Sequence, residues 1–150
     1  MAAATTSAPP AGRDVRPSAG RLVTPLVTAG VAAAATVVLA VRDPHVPGSY
    51  GFCPLLALTG FACPACGGLR ATHDLAHLDL ASAWAANPLW VLLVPLVVAA
   101  WVVWVVRAAR GRPGPRFPVA VGWALLAVVV AFGVARNLPP LVPYLTPWLG

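Results

Sequence analysis

Residues 88–106 read PLWVLLVPLVVAAWVVWVV, a run of 19 residues without a charged side chain. At a rise of about 1.5 Å per residue, a helix of this length approaches the ~30 Å thickness of the hydrocarbon core of a bilayer. Two further runs, residues 22–41 and 117–135, have the same character. The three runs predict three transmembrane helices in an all-α integral membrane protein.

The composition of the whole chain agrees with a membrane protein. Of its 150 residues, 59% are hydrophobic and 9% are charged, whereas a soluble domain carries roughly 25% charged residues. This shortage of charge excludes a coiled coil, a disordered chain and a typical soluble enzyme. The lipid bilayer is therefore the first partner that the sequence predicts.

The arginines indicate how the spans are oriented. Three of the ten lie in or beside the N-terminal tail and four lie in residues 107–116, whereas residues 42–87 hold only Arg42 and Arg70. Positive charge collects on the cytoplasmic side of membrane proteins, and three spans place both Arg-rich segments on one side. We expect a multi-pass plasma-membrane protein with a cytoplasmic N-terminus and with residues 42–87 and the C-terminus outside.

The net charge of +6 raises the alternative of a nucleic-acid partner. The arginines lie beside apolar runs, however, and aromatic residues are not interleaved with them in a stacking pattern. This arrangement favours contact with anionic lipid headgroups. We expect no nucleic-acid partner.

The two ends of the chain differ from the spans. Residues 1–20 are small, polar and Pro-rich, which predicts a disordered tail. Residues 137–150 contain four prolines, which exclude a long helix and predict a tail along the membrane interface. The run at residues 22–41 could instead be a signal peptide, but it exceeds the usual 7–15 apolar residues and no small-residue cleavage site follows. A retained helix is therefore favoured.

The segment at residues 50–87, between the first two predicted spans, contains all three cysteines and two of the three histidines. Its apolar piece at residues 52–65 is too short to cross a bilayer, so we expect an interfacial or re-entrant stretch with a turn at Gly60. A short helix is predicted over residues 69–78. Asp79 is expected to cap a second short helix that leads to the next span.

The cysteines and histidines of this segment are spaced like metal ligands. Cys63 and Cys66 lie three positions apart, a spacing at which two sulfurs can chelate one soft metal. On a continuous helix, Cys66 would share a face with both histidines. The pattern nominates zinc or another soft metal as a cofactor, with the candidate ligands Cys53, Cys63, Cys66, His73 and His77.

Two other interpretations of the cysteines stay open. The CPAC tetrapeptide is similar to the dithiol loops of thioredoxin-like proteins, which precede a helix whose dipole lowers the thiol pKa. The thiols could also form a structural disulfide or pack as small hydrophobic groups. A zinc signature normally repeats the cysteine pair and this sequence does not, so a purely structural role is favoured.

Several short motifs follow one another in order along this segment. They are Cys53-Pro54, the block Cys63-Pro64-Ala65-Cys66-Gly67-Gly68-Leu69-Arg70, His73, His77, Asp79 and Asn87-Pro88. The series resembles an uncharacterised bacterial membrane family catalogued as domain of unknown function 2752, over about residues 50–106, with Arg136-Asn137 as a weaker echo. The resemblance implies a small bacterial plasma-membrane protein and no particular activity.

For the chain as a whole, the sequence favours a non-enzymatic membrane subunit that packs against another membrane protein or a second copy of itself. Small residues in the first span, Gly30 and Ala32–Ala35, would permit close helix contact. The alternative is a metal-binding or thiol-redox membrane protein that uses Cys53, Cys63, Cys66 and His73.

Enzyme and transporter functions are disfavoured. The chain contains no glutamate, no phosphate-binding glycine loop and no Ser-His-Asp set, so the sequence leans against an enzyme. Three spans without an ionisable residue are few for a transporter.

Overall fold

The structure is a computed structural model that describes residues 19–46, 48–50 and 53–147. Within these residues the protein is all-helical, without strands, as the sequence predicts. Three longer helices are α1 (Ala19–Val41), α5 (Pro88–Ala109) and α6 (Val119–Ala135), and the shorter ones are α2 (Pro54–Thr59), α3 (Gly68–Ala76), α4 (Leu80–Ala86) and α7 (Val142–Leu145). The tail predicted at residues 1–20 lies outside the described residues, except that Ala19 and Gly20 begin α1.

Helices α1 and α5 are long and apolar enough to cross a membrane. Each has a 22-residue stretch, with mean hydropathies of 2.1 and 2.7. Only 6% of the apolar window in α1 and 0% of that in α5 is buried within the chain, whereas the core helix of a soluble protein would be mostly buried. Helix α6 is also apolar but has 17 residues. The described residues therefore contain two candidate membrane spans and one shorter apolar helix.

Helices α1 and α5 contact each other, and two hydrogen bonds join the first part of α1 to the last part of α5 and the loop after it. The indole Nε1 of Trp101 donates a hydrogen bond of 3.0 Å to the carbonyl oxygen of Pro25. Arg21 Nη1 donates to the carbonyl oxygen of Gly111, just beyond α5. Because the beginning of one helix meets the end of the other, the two helices run antiparallel.

The short helices between α1 and α5 pack around alanines. Ala71 of α3 and Ala83 and Ala86 of α4 form a buried cluster. Helix α3 also contacts α1, and α4 contacts the beginning of α5. Because alanine side chains are small, these short helices approach one another closely, and the segment between the two long helices is compact.

Local signals set the boundaries of the short helices. Helix α2 ends at Gly60 with φ 74°, a left-handed conformation that favours glycine, and this confirms the predicted turn. Asp79 accepts a hydrogen bond of 3.0 Å from the backbone N–H of Ser82 and caps α4, as predicted. Helix α3 ends at Ala76, two residues earlier than predicted, and Leu78 takes φ 63°.

The C-terminal stretch folds back as turns and the four-residue helix α7. Four prolines, Pro139, Pro140, Pro143 and Pro147, interrupt this stretch, which agrees with the predicted absence of a long helix. Thr146 is buried, and α7 contacts α4. The last part of the chain therefore packs against the cysteine-containing segment.

Candidate functional site

The structure brings the three cysteines into one group. One sulfur each from Cys53, Cys63 and Cys66 lies within 4.8 Å of the other two. The Sγ atoms of Cys63 and Cys66 are 3.0 Å apart, and all three thiols are free. The fold thus gathers all three thiols of the chain at one place.

The backbone explains how the sulfurs meet. The N–H of Cys66 donates 3.0 Å to the carbonyl oxygen of Cys63, which closes a tight turn. Gly67 then takes φ 82°, and α3 begins after it. Cys53 precedes α2, and the turn at Gly60 brings the chain back towards it. The cysteines line a cavity of about 460 Å³, together with Tyr50, Leu56 and Arg70 among others.

A buried arginine from the end of α6 holds the turn between Cys63 and Cys66. Arg136 is 0% exposed. Its Nη1 donates 2.8 Å to the carbonyl oxygen of Cys63 and 2.9 Å to that of Cys66, and its Nη2 donates 3.2 Å to that of Leu145. One guanidinium therefore satisfies backbone acceptors of the turn and of the C-terminal stretch, and its bond to the carbonyl oxygen of Cys66 is buried.

Two asparagines complete the support of the turn. Asn87 Nδ2 donates 3.0 Å to the carbonyl oxygen of Pro64 and 3.1 Å to that of Cys66, while its Oδ1 caps α5. Asn137 pairs with the backbone of Ala62 in both directions, at 2.8 and 2.9 Å. The sequence echo at Arg136-Asn137 thus corresponds to direct contacts with the cysteine turn.

The surroundings of Cys53 and Cys66 shift the pKa values of these two thiols in opposite directions. The backbone N–H of Leu56 donates to the Cys53 sulfur at the start of α2 and lowers the pKa of Cys53 to about 7. Burial, with a further contribution from the neighbouring Cys63 thiol, raises the pKa of Cys66 to about 12. Near neutral pH, a large fraction of Cys53 is therefore thiolate, whereas Cys66 stays protonated.

The histidines lie in a second group. His73 Nδ1 is 2.7 Å from the carbonyl oxygen of Leu39 at the end of α1, and its Nε2 is 3.9 Å from Asp43 Oδ1. The ring of His77 lies beside that of His73, with centroids 4.4 Å apart. The expected shared face with Cys66 does not form, because α3 begins only at Gly68 and Cys66 lies before it.

Sequence reasoning missed three members of this second group. Asp43 Oδ1 lies 2.9 Å from His45 Nδ1, and the backbone N–H of His45 lowers the pKa of Asp43. His45 Nε2 is 3.6 Å from Asp74 Oδ2. Asp74 is 5% exposed, and burial raises its pKa. The available signal was the sequence Asp43-Pro44-His45, which follows the end of the first apolar run after one intervening residue.

Comparison with known proteins finds a similarity for one part of this chain. No curated protein and no solved structure matched it. The matched part contains all three cysteines, α2 to α4 and the first two-thirds of α5. It excludes Arg136 and Asn137, although both hold the cysteine turn. Residues 53–101 match the family described as Protein of unknown function (DUF2752), which confirms the resemblance seen in the sequence motifs.

Proposed function

We propose that this protein is a membrane-bound thiol–disulfide exchange protein whose reactive group is Cys53, Cys63 and Cys66. The separation of 3.0 Å between the sulfurs of Cys63 and Cys66 carries the proposal. Two thiolates on one tetrahedral zinc would lie about 3.8 Å apart, given a Zn–S distance of about 2.3 Å. The distance of 3.0 Å is longer than a disulfide bond of about 2.05 Å and shorter than van der Waals contact between two sulfurs, so a small movement would join the two thiols on oxidation.

The unequal pKa values of Cys53 and Cys66 suggest the order in which the three cysteines react. The Cys53 thiolate attacks a disulfide of a partner protein, forms a mixed disulfide and releases one partner sulfur. Cys63 then attacks the Cys53 sulfur and releases the second partner sulfur. The protons of Cys63 and Cys66 end on the two partner sulfurs, so the partner gains two electrons and two protons.

The final step moves the disulfide into the turn. Cys66 attacks the sulfur of Cys63 and releases Cys53 as a thiolate, which is a good leaving group because its pKa is about 7. The Cys63–Cys66 disulfide leaves no charge on the buried sulfur of Cys66, whose thiolate is disfavoured by burial. The same steps in reverse would reduce the chain and oxidise its partner.

A three-span topology would place this group outside the cell. Arg21 meets Gly111 at one end of the helices, and Arg136, at the end of α6, meets the cysteine turn at the other. Helix α6 has 17 residues, at the lower end of the ~17–25 that span a bilayer. With the Arg-rich segments in the cytoplasm, the cysteines face the compartment in which disulfides persist.

The exchange partner proposed here is another membrane protein or a second copy of this chain. Gly30 and Ala32–Ala35 are exposed on α1, and a Cβ built on Gly30 has open space around it. Small exposed residues allow the backbones of two transmembrane helices to approach closely. The exchange reaction further requires that a partner packed here carries a disulfide within reach of Cys53.

Redox titration of the purified full-length protein in detergent micelles tests the proposal. After equilibration in glutathione buffers of defined ratio, we expect a two-electron transition with Cys63 and Cys66 joined and Cys53 free, identified by differential alkylation and peptide mass spectrometry. Cys53→Ser should keep this disulfide but slow its formation at least tenfold. Failure of Cys63 and Cys66 to oxidise in this range would refute the exchange function.

A three-sulfur metal site is the second candidate, because the three sulfurs lie within 4.8 Å of one another. Reduced protein titrated with Co²⁺ would then develop strong thiolate-to-metal charge-transfer absorption that Cys53→Ser removes. The redox proposal expects no such absorption at one equivalent of metal.

A further inference from the structure

A second cluster, separate from the thiols, lies where α1 ends and α3 passes over it. Asp43 and His45 follow the last turn of α1, and His73 comes from the middle of α3. One ligand atom of each lies within 4.8 Å of the other two. Pro44 lines the cavity of the cysteine group, whereas its neighbours Asp43 and His45 belong to this second cluster.

His73 is held in the form that a metal ligand needs. Its Nδ1 is 2.7 Å from the carbonyl oxygen of Leu39, which can only accept, so the ring proton resides on Nδ1. The lone pair of Nε2 is then available on the side of Asp43, whose Oδ1 is 3.9 Å away. A hydrogen bond from the other ring nitrogen to a backbone carbonyl is the usual support of a metal-bound histidine.

The buried carboxylate of Asp74 supplies an independent observation. Asp74 is 5% exposed, and its Oδ2 has no hydrogen-bond partner among the described residues. This oxygen lies 3.6 Å from His45 Nε2, just beyond hydrogen-bond distance. A buried carboxylate oxygen without a donor is costly, and a histidine bound to a metal through Nδ1 would carry its proton on Nε2, facing Asp74.

We propose that Asp43, through Oδ1, His45, through Nδ1, and His73, through Nε2, bind one divalent transition-metal ion of the zinc class. Leu39 and Asp74 orient the two imidazoles from outside the ligand set. When the metal binds, the His45 proton moves from Nδ1 to Nε2, so the metal replaces the present Asp43–His45 hydrogen bond.

The donor atoms and their spacing select the class of metal. Two ligand atoms bound at about 2.0–2.1 Å to a tetrahedral ion lie about 3.4 Å apart. The separations of Asp43 Oδ1 from His45 Nδ1, 2.9 Å, and from His73 Nε2, 3.9 Å, bracket that distance. Two imidazoles and one carboxylate favour zinc, cobalt or nickel over magnesium or calcium, and three protein ligands leave a position for water or substrate.

Cobalt titration of a thiol-free protein tests this site independently of the cysteines. The full-length chain carrying Cys53→Ser, Cys63→Ser and Cys66→Ser would be purified through a tag without histidine and titrated with Co²⁺ in detergent. We expect one equivalent to bind with visible d–d absorption, without thiolate charge transfer, and to be displaced by Zn²⁺. Because the thiols are absent, failure of the exchange function would leave this result unchanged.

Single variants then assign the ligands. Asp43→Ala and His45→Ala change partly exposed side chains and should each weaken Co²⁺ binding at least tenfold without loss of helical circular dichroism, as should His73→Ala. Asp74→Asn should weaken it by about 10- to 100-fold while the d–d bands keep their shape.

His77→Ala is the matched control, because His73 and His77 are four residues apart on one helix and could bind a metal as a pair. Binding that survives His45→Ala but is lost in His77→Ala would overturn the proposed site in favour of that pair. Equal binding by all variants would mean adventitious metal and would overturn it as well.

Discussion

Arg136 Nη1 lies 2.9 Å from the carbonyl oxygen of Cys66, across 70 positions of the chain. The guanidinium therefore links the end of α6 to the turn that carries Cys63 and Cys66. Hydrogen bonds from a charged donor are each worth about 1.5–3 kcal/mol, and an abandoned buried acceptor adds its own cost. The geometry of the cysteine turn thus depends on the last apolar helix.

Replacement of Arg136 should therefore destabilise the protein. We expect Arg136→Ala to lower the free energy of unfolding by about 3 kcal/mol, because the carbonyl oxygens of Cys63 and Cys66 lose a charged donor. Denaturant unfolding in mixed micelles, followed by tryptophan fluorescence, measures the change. Arg112→Ala removes an exposed arginine from the loop after α5 and should leave the unfolding free energy nearly unchanged; an equal loss in both variants would contradict the assigned role of Arg136.

Asn87 has two separable roles, at the cap of α5 and at the cysteine turn. Asn87→Ser keeps a good helix cap but is too short to reach the carbonyl oxygens of Pro64 and Cys66 as well. We expect it to increase the alkylation rate of Cys66 with little loss of stability from the cap. Asn87→Ala should lose in addition about 1 kcal/mol of stability. If Asn87→Ser protected Cys66 as well as asparagine does, the bonds to the turn would be unimportant.

The alkylation rates of Cys53 and Cys66 should rise with pH over different ranges. The pKa of Cys53, about 7, lies below its ordinary value of 9.0, so its thiolate predominates above pH 7. Its alkylation rate should rise about tenfold per pH unit below pH 7 and level off above it, since only the thiolate reacts. Cys66, with a pKa of about 12, should stay slow through pH 9.

Residue-resolved mass spectrometry of iodoacetamide-labelled protein measures both rates. The difference between the two cysteines should disappear in denaturant, where both regain ordinary pKa values. A midpoint near pH 9 for Cys53 in the folded protein would show that the N–H of Leu56 does not stabilise its thiolate.

Gly133 on α6 allows the close approach of Pro64. A Cβ at Gly133 would lie 3.3 Å from Pro64 Cδ, and the turn around Pro64 is fixed by Asn87 and Arg136. Gly133→Ala should therefore destabilise the protein by about 1–2 kcal/mol through overpacking. Gly122→Ala on the same helix meets nothing within 4 Å and should be neutral or slightly stabilising. Thermal melting of the two variants side by side tests the contrast, which a common shift would disprove.

The proposed topology predicts one-sided labelling of intact cells. In a background with no other cysteine, Cys53 should react with a membrane-impermeant maleimide added outside. A cysteine introduced by Arg112→Cys should react only after the cells are lysed, because the loop after α5 would be cytoplasmic. Labelling of both positions from outside would exclude the three-span arrangement.

The sequence predicted those elements that are marked by residues within or directly beside the element itself. Charge-free runs indicated α1 and α5, because charge is costly in a bilayer wherever the chain lies. Asp79 and Gly60 marked helix ends through their own backbone chemistry. The grouping of three cysteines was also anticipated, since the short connection between Cys53 and Cys63 keeps the sulfurs near one another.

Contacts between distant segments could not be predicted in the same way. His73 was expected to join the sulfurs on one helical face, but the left-handed Gly67 separates Cys66 from α3. Its actual neighbours, Asp43 and His45, are set by how α3 packs over the end of α1. The contact of Arg136 with the cysteine turn likewise depends on the position of α6, which no sequence spacing encodes.

The long separation between Arg136 and the cysteines also orders events during biosynthesis. A ribosome adding roughly 5–20 residues per second needs about 4 to 14 seconds to make the intervening 70 positions. Throughout that interval the nascent chain contains all three cysteines but not yet the arginine that holds their turn. The turn between Cys63 and Cys66 thus reaches its final form only after α6 has been made, and a polypeptide terminated before Arg136 would lack the guanidinium that holds this turn.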